Sequence, residues 1–380
     1  MTELENSEIA ESGQVVRTSR DDSLLRERLE AWLARQLPAD AAPRVSEISS
    51  PTASGMSSET LLFDASWKGE GGATAGGSFV GRMAPSQADL PTFPSYDMAM
   101  QARVLRLAAA AGVPVPTVRW LELDESVLGA AFFVMERLEG RVPADIPTYV
   151  AEGFVSEATP EQRRTLQDNT VAAIARIHSI DLGENDVSFL EFPVEGKTPL
   201  ERHVANQRAY YEWATPDKRS PLIERTFAHL EQSWPKETST VVSWGDSRIG
   251  NVMYASEGFE PVAILDWEMA GLGPRELDLG WLSFMHTFFQ KLFEGMGITG
   301  LPDFLRPEDL AATYREITGH PVEDLRWYVT YAALRHAIIM SRISERMVHF
   351  GQGQSPADPD DRIPHRATLE AMLDGSYWEP

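Results

Sequence analysis

Three side chains with oxygen-rich, metal-binding chemistry fall close together in the chain. Asp246 and Asn251 lie in Ser243-Trp-Gly-Asp-Ser-Arg-Ile-Gly-Asn251, and Asp266 lies in Ala263-Ile-Leu-Asp-Trp-Glu268. The first cluster leads out of the run Thr240-Val-Val-Ser243, and the second closes Pro261-Val-Ala-Ile-Leu265. Short apolar runs of this kind read as buried strands, so the three groups are expected at strand ends and in the loop between them, converging on one place. Such a corner suits phosphoryl transfer, which demands positioning more than covalent chemistry. Asp246 is expected to take the proton of an attacking hydroxyl. Asn251 and Asp266 are expected to hold Mg²⁺, which prefers hard oxygen donors. Arg82, at the end of an inferred strand, would steady the phosphates from the other side.

The elements that must position these groups divide the chain in two. A polar segment at residues 1–20 is expected to be a mobile tail. A helix starts near Asp22 and stops before Pro38, with Leu25, Leu29, Trp32 and Leu33 on one face. Strand-like runs at 60–63 and 78–82 flank the glycine-rich stretch 68–77, which lacks the Gly-Lys-Ser/Thr ending of a P-loop and reads as a flexible hairpin connection. A helix over 97–111, strands over 118–121 and 131–135, and long helices beginning at Thr159-Pro-Glu-Gln162, Leu279, Pro307 and Leu325 follow. The proline- and aspartate-rich stretch 351–364 reads as a solvated loop. The architecture inferred is α+β: a strand-rich first lobe over 21–138, a short hinge, and a helical second lobe over 139–380.

Composition narrows the partners. The chain of 380 residues carries 34 Lys and Arg against 57 Asp and Glu, a formal net charge of -23. That balance argues against nucleic acid, whose binding relies on cationic patches, and is compatible with a cationic substrate. There is no cysteine, which excludes disulfides, thiol nucleophiles and Cys-based zinc sites. The N-terminus has no basic-then-apolar signal pattern and no apolar run approaches a membrane span, so a cytoplasmic location without membrane contact is expected.

The segment from Ser243 to Trp281 resembles the aminoglycoside phosphotransferase and choline kinase-like family, whose signature is His-Gly-Asp-x-x-x-x-Asn followed by Ile-Asp-Trp-Glu. The version here is most similar to the branch fused to acyl-CoA dehydrogenases and its stand-alone actinobacterial relatives. The likeness extends to Gly112-Val-Pro-Val-Pro116 and Phe132-Phe-Val-Met-Glu136, covering most of residues 45–345. It implies a protein-kinase-like bilobal fold with a small antiparallel-sheet N-lobe and a larger helical C-lobe, binding ATP or GTP between them. It implies that Asp246 is the base, that Asn251 and Asp266 are the metal ligands, that Asp278 braces the catalytic loop, and that the hinge from Glu136 to Leu138 offers backbone groups to the purine.

Several positions depart from the family pattern. Trp244 replaces the family histidine and is expected to support the loop. The phosphate-covering turn Ser54-Gly-Met-Ser-Ser-Glu-Thr60 has one glycine, so Ser57 and Ser58 are expected to contact phosphate. The helical glutamate that would pair with the phosphate-binding cation falls at Gln101, which implies a neutral hydrogen bond to Arg82 in place of an ion pair. Arg248 is expected to reach a substrate or phosphate or to form a structural ion pair, Glu268 to reach substrate, support the site from behind Asp266 or be simply solvated, and His178 and His336 to be satisfied core histidines. The reaction implied is transfer of a γ-phosphate to a hydroxyl of a small molecule. The acceptor is an aminoglycoside-like compound or, alternatively, a hydroxyacyl-CoA or other lipid-derived alcohol. A nucleotide-binding pseudokinase is a further alternative. A serine hydrolase built on Ser247 fails because Ile249 stands where its turn needs glycine.

Overall fold

The structure is a computed structural model and describes residues 22–49, 58–236, 239–322 and 324–379. The expected tail at 1–20 and the residues 54–57 of the expected phosphate turn, Ser57 among them, lie outside the described residues.

The first lobe is a five-stranded antiparallel sheet in the order β1-β2-β3-β5-β4, formed by β1 (Arg44–Val45), β2 (Glu59–Lys68), β3 (Thr74–Met83), β4 (Val118–Glu122) and β5 (Phe132–Glu136). Alternation along β5 makes this sheet a partition between two apolar cores, because successive strand side chains point to opposite faces. Phe132 and Val134 face a small core with Leu25, Leu29, Trp32 and Leu33 of α1 (Asp22–Gln36). Phe133 and Met135 face the large core, where they meet Met98, Ala102, Val104 and Leu105 of α2 (Met98–Ala110). Asp97 caps α2 by accepting from the Met100 amide.

The hairpin expected at 68–77 forms, and its ladder runs further into the glycine-rich stretch than a flexible connection would. β2 and β3 continue pairing to Lys68↔Thr74, and Gly76 sits opposite Ser66 with its φ at 150°. A Cβ at Gly76 would come 2.2 Å from the Ala65 carbonyl oxygen, so glycine is what lets the ladder close.

The second lobe contains α3 (Pro160–His178), α4 (Pro199–Ala214), α5 (Pro221–Gln232), α6 (Glu276–Glu294), α7 (Pro307–Thr318), α8 (Arg326–His349) and α9 (Arg366–Asp374). The capping box read at Thr159 forms: Gln162 N–H donates to Thr159 Oγ1, and Thr159 N–H donates to Gln162 Oε1. The acidic stretch near residue 360 is not a free solvated loop. Asp360 is buried and accepts from the Ser220 hydroxyl and the Leu222 amide at the start of α5, while Asp358 and Asp361 pair with Arg366. Two small antiparallel pairs interrupt the helices: β6 (Val241–Ser243) with β9 (Gly271–Gly273), and β7 (Val252–Tyr254) with β8 (Pro261–Ile264). They carry the acidic motifs.

Candidate active site

The β7–β8 hairpin explains why distant carboxylates meet. Asn251 immediately precedes β7 and Asp266 follows β8 by two residues, and Val252 pairs with Ile264. The Leu265 amide then donates to the Asn251 carbonyl at 2.8 Å, so the two ends emerge side by side. Asp266 holds φ at +58°, a left-handed conformation that aspartate tolerates better than most residues. Trp244 ties the neighbouring loop to this one, its Nε1–H donating to the carbonyls of Leu265 (2.9 Å) and Asp266 (3.1 Å).

Asp246 follows Gly245, whose φ is +92° and whose Cβ, if present, would lie 2.0 Å from the Met269 carbonyl oxygen. Both carboxylate oxygens of Asp246 accept hydrogen bonds. Trp281 Nε1–H reaches Oδ1 at 2.7 Å, and Asn251 Nδ2 reaches Oδ2 at 2.6 Å. Asn251 Nδ2 also donates to the Asp246 carbonyl at 3.1 Å. Both amide hydrogens are thereby engaged, which leaves Asn251 Oδ1 as its available atom.

Asp278 sits in the first turn of α6 and is 1% exposed. Its Oδ1 accepts from Ser243 Oγ and the Gly245 amide, and its Oδ2 accepts from the Trp244 amide and His178 Nε2. Burial alone would raise its pKa. The His178 bond and the two loop amides outweigh burial and hold the carboxyl below its ordinary value. The opposite nitrogen of His178 meets Tyr314 Oη at 2.9 Å. Ser247 is fully buried and donates to the Asp278 carbonyl, a bracing role far from that of an exposed nucleophile.

Arg248 turns to Asp145, beyond the hinge, with Nη1 2.7 and 2.8 Å from the two carboxylate oxygens; its Nε lies 3.4 Å from Asp246 Oδ2. Burial opposes its charge, but Asp246 and Asp145 raise its pKa above the ordinary guanidinium value. Arg335, also buried, donates Nη2–H to the Gly245 carbonyl and lies 4.3 Å over the Trp281 ring. Sequence reasoning missed Asp145, Arg335 and the donor role of Trp281. The three-residue step from Asp278 to Trp281 was the available signal, since it places both on one helix face.

A cavity of about 470 Å³ opens between the lobes. Its walls include Arg82, Gln101, Glu136, Leu138, Asn251 and Asp266. Arg82 Nη2 is 2.7 Å from Asp266 Oδ1 and 2.6 Å from Ser58 Oγ, while Nη1 is 3.0 Å from Thr60 Oγ1. Ser58 in turn donates to Glu268 Oε2 at 3.1 Å. The neutral hydrogen bond expected between Arg82 and Gln101 is not formed: among the described residues the guanidinium donates to Thr60, Ser58 and Asp266, which include the stronger, charged acceptor. At the hinge the Glu136 and Arg137 amides go to the Thr117 and Ser78 carbonyls, and the Glu136 side chain pairs with Arg119. Leu138 keeps its backbone N–H and C=O unpaired among the described residues.

A two-lobed α+β fold, with Asn251 and Asp266 on the wall of an interlobe cleft and Asp246 bonded to Asn251, is that of a kinase-like small-molecule phosphotransferase. The chain belongs to the phosphotransferase enzyme family (APH), whose model matches residues 67–310. It is 27% identical over 282 residues to acyl-CoA dehydrogenase family member 10 of Mus musculus, covering 72% of this chain. The chain spans 25% of that relative's length and about the same share of the human family member 11. Among solved structures, it is similar to one from Ralstonia eutropha described as a candidate aminoglycoside phosphotransferase, at 25% identity and a TM-score of 0.65, covering 93% of this chain and 98% of that one. It also shares its fold with aminoglycoside phosphotransferase APH(4)-Ia in ternary complex with AMP-PNP and hygromycin B, at 15% identity and a TM-score of 0.52, covering 92% of this chain and 98% of that one. No helix of the described residues is long and apolar enough to cross a membrane.

Proposed function

We propose that this protein transfers the γ-phosphate of ATP to a hydroxyl of a small molecule, with Asp246 as the base. The observation that carries the reading is that Asn251 and Asp266 line one cleft while Asn251 holds Asp246 by a 2.6 Å hydrogen bond. The cleft is within the size range of small-molecule sites. Leu138 would present its free backbone N–H and C=O to the purine. The AMP-PNP bound by the APH(4)-Ia structure supports ATP as the donor.

The donor set fits a magnesium ion. Asn251 Oδ1 and the Asp266 carboxylate are hard oxygens on the cleft wall, and among the described residues no cluster of three or more His, Cys, Asp or Glu competes for a metal. Two protein ligands suit Mg²⁺, which otherwise keeps water and phosphate oxygens. Bound there, the ion would neutralise charge on the phosphate oxygens. Asp246 is held by Trp281 and Asn251 with a lone pair of Oδ1 still open for the acceptor's proton. Trp244, Asp278 and His178 keep the loop carrying it rigid.

For the acceptor we favour a hydroxyacyl thioester or a related lipid-derived alcohol over an aminoglycoside. The relatives named as acyl-CoA dehydrogenase family members support this choice. The test is a phosphate-transfer assay with Mg²⁺ and ATP, with GTP as a second arm, against hydroxyacyl-CoAs, amino sugars and choline-like alcohols. Turnover of one class is expected, and Asp246→Asn should lower kcat by about 10²- to 10⁴-fold while ATP binding persists. Full turnover by Asp246→Asn would remove the assigned base.

A further inference from the structure

Arg82 and Gln101 both face the cleft, yet they do not meet. Gln101 projects from α2, is 2% exposed, and its Nε2 has no hydrogen-bond partner among the described residues. Arg82 instead lies against Asp266, with Glu268 Oε2 3.9 Å away; the Arg82 and Asp266 side chains are only 11% and 13% exposed. In so enclosed a place a cation seeks a carboxylate, and a neutral amide offers too little to draw it away. We propose that Arg82 is an internal counter-ion of Asp266 that competes with a metal ion there, and that Gln101 is the positioning residue that leaves it there. The inference rests on the reading of Asp266 as a metal ligand.

The contact has a defined cost for metal binding. One oxygen of Asp266 cannot give its full charge to a guanidinium at 2.7 Å and to a divalent ion at once. Arg82 and the metal therefore oppose one another, and by linkage each weakens the other by the same factor. Ser58 and Thr60 add hydrogen bonds that hold Arg82 in this pose. A carboxylate at position 101 would add a third anion, beside Asp266 and Glu268, to compete for the guanidinium and so free Asp266. The chain thus sets a cation of its own against one oxygen of Asp266, in competition with a metal there, and the uncharged side chain of Gln101 sets how firmly.

The test titrates Mn²⁺ into the nucleotide-free chain and reads unbound Mn²⁺ from its EPR signal. Arg82→Met and Gln101→Glu are each expected to tighten Mn²⁺ binding by about tenfold, and adding Asp266→Asn to either variant should abolish the gain. Thermal melts accompany each titration, because Arg82→Met strips the cation from between Asp266 and Glu268. Gln101→Glu retains that cation and carries the test if the first variant does not fold. If neither variant gains affinity, the counter-ion proposal is overturned; Asp266→Asn in the otherwise unaltered chain then shows separately whether Asp266 binds metal. A gain that survives Asp266→Asn overturns both the proposal and the ligand reading beneath it.

Discussion

Trp281 is placed to decide how well Asp246 would serve as the proposed base. Its indole N–H points at Oδ1, while Asn251 holds Oδ2, so the carboxylate is fixed in rotation before any acceptor arrives. An indole donates and cannot accept, which makes the contact one-way and keeps the proton-accepting capacity on the aspartate. Trp281→Phe should preserve most of the apolar contact and lose the donor. We expect kcat to fall about 10- to 100-fold with a smaller change in KM, since sub-ångström misplacement of a reacting group is costly. Stability should drop by about 1–3 kcal/mol. Trp32→Phe, which removes another buried indole and its bond to Glu122, should cost similar stability and leave kcat alone. Equal kcat losses in the two variants would reduce Trp281 to packing.

The start of α6 is the keystone at the level of elements. Asp278 in its first turn gathers the loop amides of Trp244 and Gly245, the Ser243 hydroxyl and the His178 ring, so one carboxylate joins α3, α6, β6 and the catalytic loop. Asp278→Asn puts an NH₂ group where only acceptors are wanted. A loss of about 3–5 kcal/mol is expected in urea unfolding, with turnover falling to background. A variant within 1 kcal/mol of wild type, by the same measure of one buried hydrogen bond, would contradict this account. The contrast with what the sequence reveals is instructive. Asp246, Asn251 and Asp266 are legible because the apolar runs mark β6 before Asp246 and the hairpin that joins Asn251 to Asp266. Asp145, His178 and Arg335 reach the site from residues 103, 100 and 90 positions distant from their partners, and no local pattern records such closure. At 68–77 the glycines mark a hairpin, but with few side chains they show no alternation to tell how far the β2–β3 ladder runs. Gln101 is legible as an anomaly, while the direction Arg82 takes in response depends on the three-dimensional neighbourhood of Asp266.

Across the whole molecule, the lobes are bound by more than the hinge. The segment between β3 and α2 docks on the helical lobe, where Tyr210 donates to the Thr92 carbonyl and Arg342 to the Pro91 carbonyl. Arg103 of α2 pairs with Asp186, and the Ile264 amide donates to the Pro114 carbonyl. The large core therefore includes α2 and the inner face of the sheet, and its stability controls the cleft as well as the helices. That core contains a pH liability. Burial lowers the pKa values of His203 and His336 well below the ordinary histidine value and pushes His286 and His365 down to about 4. Each stays neutral when folded and regains a pKa near 6.5 when unfolded. Above that value neither state binds the extra proton, so stability is flat. Below it the unfolded chain takes up protons that the folded chain refuses, and stability falls as pH drops from 6.5 towards 4, at about 1.4 kcal/mol per pH unit for each proton. The depressed carboxyl of Asp278 adds its loss lower still. Chemical unfolding followed from pH 8 to 4 should give a plateau above 6.5 and a slope of several protons beneath it. His365→Gln, which retains a donor for the Ala333 carbonyl that His365 Nε2 now meets, should make that slope shallower by about one proton. An unchanged slope in His365→Gln, or a plateau reaching down to pH 4, would show that these rings are protonated inside the folded core.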